Sequence, residues 1–487
     1  MKPKKIIKIT IALLTCIQLH SCSDFLEVYP VGRTVTPVAF SDMPGIRGAH
    51  AGAYYKMFNL YSSSFYVYAD LAGNTIDLDI QSVSQSEIKN IYDYTMMPTS
   101  SGYWGTIYEI MANINNIIEY QPSLLKKFPG SKEELERIKA EALFLRALCH
   151  FNLCRLYAQP YNYTHDASHD GIPIVITSLE PQSKPSRSSV KQVFSQIVGD
   201  LNEAETLFGN KNEETKYYAG KTAVYALLSR VYLYMEDWEN TIRYSDYVLD
   251  KFKLADSSDY LSMFTALTNN ETEVILRFNG AQNSSKTLLN LFNMSREGEN
   301  LMVPTALMDG IYLHLFDNDP DDIRFSNLIK KETSDKGITY YASQKFNITD
   351  NNDPEYIHFN PIVLRVSEIY LNRAEAHLNN NDLAEAAKDV KAIVARAHKK
   401  QPDEISLEYA DISALRKIIE TERIKELSLE GHLLFDLNRW KKDMVRSEET
   451  SSSVKRLDYP NHLFVLPIPQ RELDINPNMT GNPIVND

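Results

Sequence analysis

The stretch Glu422-Arg423-Ile424-Lys425-Glu426-Leu427-Ser428-Leu429-Glu430-Gly431-His432-Leu433-Leu434-Phe435-Asp436-Leu437-Asn438-Arg439-Trp440 sets charged residues among apolar ones at helical spacing. Ile424, Leu427, Gly431 and Leu434 step by three, four and three residues, which predicts one continuous helix. Glu426, Glu430, Asp436 and Arg439 on that helix form a partly buried charge network that fixes its register. The cluster reads as structural rather than catalytic.

Working outward, two stretches have the spacing of helical hairpins. In residues 221–249, Leu228, Ser229, Tyr232, Trp238, Thr241 and Val248 fall where tetratricopeptide repeats place their packing residues. Residues 373–396 repeat the pattern with Ala374, Asn381, Leu383, Ala386, Val390 and Ile393. The two lie much further apart than one repeat of about 34 residues, so an uninterrupted solenoid is excluded. Between them, residues 253–360 show short β-like runs such as Thr272 to Phe278, separated by Asn, Asp, Gly and Ser clusters. Irregular insertions on a helical scaffold are where binding residues concentrate. Nearer the N-terminus, Trp104, Ile107, Tyr108, Met111, Ile114, Asn115 and Ile118 predict an amphipathic helix over 104–120. A longer helix follows through Leu135, Ile138, Ala142, Leu145, Cys149, Leu153 and Leu156, with Ser131 and Glu134 as a capping box and an end near Pro160.

The first residues set the compartment. Lys2, Lys4, Lys5 and Lys8 precede the short apolar run Ile9 to Ile17, which falls short of the roughly 20 residues a membrane span needs. Residues 1–21 are therefore expected to be a signal peptide. It ends in Leu19-His20-Ser21-Cys22, which looks like a bacterial lipobox with Cys22 as the acylated first residue, although His20 replaces the usual small residue. Several acyl chains on one cysteine would hold the protein firmly to a membrane. From residue 22 to 52 the chain, punctuated by Pro30, Pro37, Pro44, Gly45, Gly48 and Gly52, is expected to be a tether with no regular period.

Composition narrows the function. Glycine (18) and proline (21) are scarce among 487 residues, which favours helix over a turn-rich β architecture. The net charge of −13 disfavours nucleic acid as a partner. Cys149 and Cys154, five residues apart on different faces of a helix, exceed disulfide reach, and no zinc-ligand spacing occurs. Ala219-Gly220-Lys221-Thr222 lacks the first glycine and the preceding strand of a phosphate loop, so it reads as a helix start. Asp317-Asn318-Asp319-Pro320-Asp321-Asp322 resembles a calcium loop, but Asp322 replaces the turn glycine and Leu328 the closing glutamate, so a solvated turn is expected. No catalytic residue, metal site or cofactor is implied.

Glu422 to Trp440 resembles the signature segment of SusD/RagB-family nutrient-binding lipoproteins, in which Arg-x-x-Glu-Leu-x-x-Glu-Gly-His precedes an aromatic residue and Asp-Leu-x-Arg-Trp. Leu433 stands where that family often has arginine. The blocks Glu141 to Ala147, Gly220 to Tyr234, Arg365 to Ala376 and Leu466-Pro467-Ile468-Pro469, with Asn476-Pro477 and Asn482-Pro483, are similar to family blocks in family order. Within 253–360 only Asp322-Ile323-Arg324 is similar. The resemblance implies a mainly α fold: tetratricopeptide-like helical hairpins form a scaffold, with long irregular loops, a few short strands and a ligand site in the loops. It further implies a single domain over 22–487, with 22–52 as tether and 253–360 as variable insertion. A SusC-like TonB-dependent transporter would be the partner, and anchoring would be to the outer membrane, surface-exposed, through acylated Cys22. The ligand would be an oligosaccharide, or a peptide in some members.

Sugar faces pack on aromatic rings while polar side chains read the hydroxyls. Trp104, Trp238 and Trp440 fall in structural positions, so a stacking platform must come from tyrosine or phenylalanine, and tyrosine is abundant at 29. The candidates are Tyr66 with Asp70 and Asn74, Tyr103, and the pair Tyr340 and Tyr341. Two other classes compete with a capture protein: a helical glycoside hydrolase with hidden carboxylates, and a lipid-anchored scaffold that binds only proteins through its hairpins.

Overall fold

The computed structural model describes residues 36–79, 86–99, 102–179, 182–209, 215–265, 272–280, 304–334, 337–346 and 359–483, together with 288, 291–292, 296–297, 300–301, 349–350 and 353–357. The signal peptide and Cys22 lie outside the described residues. Residues up to Ile46 form one compact unit and those from Arg47 onward another. In the described part of the first, Thr36–Ala39 is a short helix and the Gly45 N–H donates to Asp42 Oδ1 at 2.9 Å.

The main helices are α1 (Met43–Tyr61), α2 (Trp104–Lys127), α3 (Lys132–Tyr157), α4 (Val190–Phe208), α5 (Lys221–Met235), α6 (Trp238–Leu249), α7 (Val366–Asn379), α8 (Leu383–Ala397), α9 (Ile412–Glu426) and α10 (Leu433–Arg439). Antiparallel strand pairs join distant parts of the chain. β1 (Ile76–Leu78) pairs with β3 (Ala306–Met308), β2 (Val274–Arg277) with β6 (Ile362–Arg365), and β4 (Ile329–Thr333) forms a hairpin with β5 (Thr339–Ser343). This is the mainly helical, tetratricopeptide-like architecture that the spacing of apolar residues implies.

The two hairpins share one device. Between α5 and α6, Glu236 takes a left-handed conformation (φ 59°) and the Asp237 carboxylate accepts the Asn240 N–H at 3.1 Å. Between α7 and α8, Asn381 (φ 61°) is followed by Asp382, whose carboxylate accepts the Glu385 N–H at 3.3 Å. A left-handed residue ends one helix and an aspartate caps the next, giving a tight antiparallel turn. α6 and α7 pack together, and Ala374, Leu378, Ala386, Val390, Leu415 and Ile419 carry the core on to α9. α3 lies between α2 and α4, and all seven of its expected apolar positions are buried. Across α3 and α4, Arg146 grips Asp200 with two bonds of 2.9 and 2.7 Å.

Several expectations need correction. Residues 43–52, assigned to an irregular tether, begin α1; the buried steps His50, Ala53, Met57 and Leu60 supply a helical stripe, and Pro44 sits in the first turn, where a missing N–H costs nothing. α2 continues to Lys127, past the expected end at 120. Ser131 makes no capping bond, because Glu134 instead forms a two-bond pair with Arg47 at 2.6 and 2.7 Å. The stretch 422–440 is two helices, α9 and α10. At the break Leu429 (φ 64°) and Gly431 (φ 77°) are left-handed, and a Cβ on Gly431 would meet the Tyr66 carbonyl oxygen at 2.5 Å. The turn at 317–322 is not wholly solvated: Asp322 is buried against Arg324 at 2.5 Å, and Asp319 pairs with His398 at 2.7 Å.

Charges at the end of α9 are buried in a network. Glu426 bonds Arg365 at 2.6 Å and Arg396 at 2.6 Å, and Glu430 bonds Arg365 at 2.7 Å and Lys345 at 2.8 Å. Glu273 pairs with Arg365 at 2.9 Å and Arg396 at 3.0 Å, while Arg324 reaches Glu422 at 2.7 Å. Burial raises the Glu426 carboxyl, but the surrounding guanidinium groups outweigh it and hold the carboxyl well below its ordinary range. A second group of charges closes α10: Asp436 joins Arg423 at 2.7 Å and Arg439 at 2.8 Å, and Glu375 receives Arg439 at 2.5 Å and the Trp440 indole N–H at 3.1 Å.

Glu426→Ala should cost about 3–5 kcal/mol in urea unfolding, because it leaves buried guanidinium groups unpaired. Lys388→Ala, on an exposed pair with Glu385, should cost under about 1 kcal/mol. His398 gives a pH signature. Burial works against its charged ring, yet the Asp319 carboxylate on Nε2 and the Val394 carbonyl on Nδ1 outweigh that and raise it above its ordinary 6.5. Its stabilising contribution is therefore complete below pH 6.5 and lost as pH rises through the raised value. The Tm gap between the parent and His398→Asn should accordingly shrink between pH 5.5 and pH 9.

Candidate functional site

A cleft opens where α1, the turn after it and the start of α2 meet. Its position follows from how α2 begins. Gly102 adopts φ 49°, and a Cβ there would press on the Tyr157 hydroxyl at 3.0 Å. That hydroxyl, from the last turn of α3, accepts the N–H groups of Tyr103 at 3.0 Å and Trp104 at 2.9 Å. Tyr103 makes no side-chain cap of its own, so Tyr157 does the capping from outside. Trp104 meets the Tyr157 ring edge-on at 5.0 Å. The C-terminal segment straps this corner: Leu466 N–H donates to the Leu156 carbonyl at 2.7 Å and Asn482 Nδ2 to the Tyr157 carbonyl at 3.0 Å.

Held in this way, Tyr103 reaches the cleft lining with an edge of its ring, the residue being only 5% exposed. Its hydroxyl bonds Ser64 Oγ at 2.9 Å, and its ring meets Phe65 edge-on at 5.3 Å and Tyr68 at 6.0 Å. The cleft holds about 350 Å³. α1 contributes Lys56, Asn59 and Leu60, the following turn Ser63 and Ser64, the short helix Glu87–Tyr92 its Glu87, and α2 Thr106, Glu109 and Ile110. Lys56 Nζ bonds Glu109 Oε1 at 2.6 Å across the opening. Burial raises the Glu87 carboxyl, and a hydrogen bond from the Tyr103 hydroxyl works against that shift. An aromatic edge beside hydroxyl, amide, carboxylate and amine groups suits a ligand with an apolar face and many hydroxyls. Among the described residues, no group of three or more His, Cys, Asp or Glu is placed to hold a metal ion.

Of the residues expected from sequence to bind ligand, Tyr103 alone lines this cleft. Tyr66 is buried just beneath; its hydroxyl donates to the Ile362 carbonyl at 3.0 Å and its ring meets Phe359 at 5.6 Å. Asp70 is fully buried and accepts the N–H groups of Leu429 and Gly431, both at 2.8 Å, thereby clamping the break between α9 and α10. Burial lifts its carboxyl to about 7 against the pull of those two donors. Asn74 donates to the Val445 carbonyl at 2.6 Å. Tyr340 is buried on the β4–β5 hairpin, and its half-buried neighbour Tyr341 lies under Lys331 Nζ at 5.7 Å. The hairpin tyrosines are not among the residues that line the cleft. Sequence reasoning did not find Lys56, Asn59, Ser63, Ser64, Glu87 or Thr106. Each is an ordinary polar residue in sequence, and only the facing of α1 and α2 gathers them.

Two family profiles match the chain. One, described as starch-binding and associating with the outer membrane, covers residues 44–233, and the other, described as the SusD family, covers residues 327–484. The chain belongs to the SusD/RagB family. It is similar to a SusD-like protein of Formosa agariphila, 22% identical over 98% of each chain. A SusD-like protein of Bacteroides ovatus is 23% identical over 78% of this chain and 73% of that one. The solved structure of a SusD superfamily protein from Bacteroides thetaiotaomicron superposes with a TM-score of 0.78 at 25% identity, covering 91% of this chain and all of that one. A structure described as a laminarin-binding SusD-like protein shares the fold at a TM-score of 0.69 and 20% identity, covering 91% and 99%. The signature segment of this SusD/RagB chain is thus the α9–α10 break and its charge network. No described helix is long and apolar enough to cross a membrane.

Tyr157→Phe should destabilise by about 1–3 kcal/mol, since it leaves two buried N–H groups without an acceptor. Urea unfolding of the variant checks this.

Proposed function

We propose that this SusD/RagB protein is a non-catalytic capture protein for nutrient oligosaccharides, held at the outer membrane by acylated Cys22 and passing its cargo to a SusC-like TonB-dependent transporter. The observation that carries the proposal is the cleft edged by Tyr103, a ring fixed by the Tyr157 cap and bordered by hydrogen-bonding side chains. The starch-binding description of the matching profile and the laminarin-binding description of a structural neighbour support a sugar as ligand. The exposed edge of Tyr103 would pack against the apolar side of a sugar, while Asn59, Ser63 and Thr106 would read hydroxyls. Tyr66, Asp70 and Asn74 would hold the floor, and Tyr340 with Tyr341 would contact the far end of a longer chain.

The lipobox at Leu19 to Cys22 supports the anchoring. Oligosaccharide titration by calorimetry tests the capture role. Tyr103→Ala should weaken binding by about 0.5–2 kcal/mol, or roughly two- to thirtyfold, measured well below the variant's lowered melting temperature. Cell fractionation tests the anchor: Cys22→Ala should release a folded protein from the membrane fraction.

A further inference from the structure

The charge of the cleft bears on which oligosaccharides it accepts. Three charged residues line it: Lys56, Glu87 and Glu109. Lys56 is committed to Glu109, its Nζ sitting 2.6 Å from Oε1. Glu87 has no ion-pair partner among the described residues and lines the cleft together with Tyr103. Ile80 to Gln85 and Ser100-Ser101 contain no acidic or basic residue, and Lys89, two residues beyond Glu87, pairs with Asp93. The cleft therefore carries a net single negative charge, within a chain whose own balance is −13.

We propose that Glu87 makes this cleft selective for uncharged oligosaccharides over chains bearing uronate or sulfate groups. The inference rests on the cleft being the glycan site. A carboxylate accepts charge-assisted hydrogen bonds from sugar hydroxyls, so it welcomes a neutral ring. Against a second carboxylate or a sulfate it has no proton to give, and like charges a few ångströms apart repel even at the exposed mouth of the cleft where Glu87 stands. The penalty corresponds to about tenfold or more in affinity. Lys56 could offset it only by leaving Glu109, which would bare another carboxylate. The overall negative charge acts in the same direction at longer range, where salt screens it.

Affinity electrophoresis of the mature chain through gels containing laminarin, starch, xylan or mannan, and through gels containing alginate, polygalacturonate or chondroitin sulfate, gives the first test. Retardation is expected in at least one neutral gel and in no acidic one. For the neutral polymer that binds, an oligosaccharide and its C6-carboxylated derivative are then titrated against the parent and Glu87→Gln. The parent should prefer the neutral form by about tenfold or more, and Glu87→Gln should reduce that ratio at least threefold. Retardation by an acidic gel, or a ratio that survives Glu87→Gln, overturns the proposal. If an acidic polymer binds and Tyr103→Ala abolishes that binding, the cleft remains the glycan site and only the selectivity fails. If no polymer of either kind retards the protein, the glycan assignment of the cleft fails instead.

Discussion

The carboxylate of Glu426 is the point on which this fold turns. It sits at the last turn of α9 with no exposed side-chain surface, and arginines from three other places converge on it: Arg365 where β6 enters α7, Arg396 near the end of α8, and Arg324 from the inserted region. Buried ion pairs are poor sources of net stability, because desolvation consumes most of the attraction. They are strict about geometry, however, since any displacement leaves a charge unpaired in a poor solvent. Arg324, Lys345, Arg365, Arg396 and Lys425 face Glu273, Asp322, Glu422, Glu426 and Glu430, and Asp319 joins Lys425 to His398 at the edge. The network thereby pins residues of the 253–360 insertion to the helical scaffold.

That constraint reaches the cleft through the break after α9. Because Glu426 and Glu430 are both held, the chain between α9 and α10 must turn sharply, and it does so with Leu429 and Gly431 left-handed and their N–H groups on Asp70. Asp70 follows Phe65 and Tyr68 in one short run, and the rings of those two pack against Tyr103. From the other side Tyr157 caps α2 and fixes where Tyr103 begins. The aromatic edge is thus positioned by two helix termini, neither of which contributes to the cleft's polar lining. A platform held by scaffold contacts needs little ordering when a ligand arrives.

Much of the scaffold was legible in the sequence. The hairpins announced themselves because apolar positions recur at three and four residues, whereas the caps Asp237 and Asp382 emerged only with the structure. The α9–α10 break was hidden because Gly431 fits a helical step as well as a left-handed turn, and only the approach of the Tyr66 carbonyl distinguishes the two. Residues 43–52 were misread because glycine and proline usually mark loops, whereas here the buried stripe of α1 outweighs them. At the site, Tyr103 was legible as an aromatic beside a helix start. Asp70 has the composition of a ligand contact and the geometry of a backbone clamp, a difference that no local spacing encodes. Glu87, Lys56 and Thr106 carry no signal of their own, since facing across space is what makes them a cleft.

Hydrogen exchange footprinting of the mature chain, free and saturated with a neutral oligosaccharide that binds it, tests the central claim most directly. The account predicts protection in peptides spanning residues 56–64, 86–92 and 102–110, with the hairpins at 221–249 and 366–397 unchanged. Protection that falls on the hairpins or on residues 337–346, while 56–64 and 102–110 exchange as in the free protein, would contradict it.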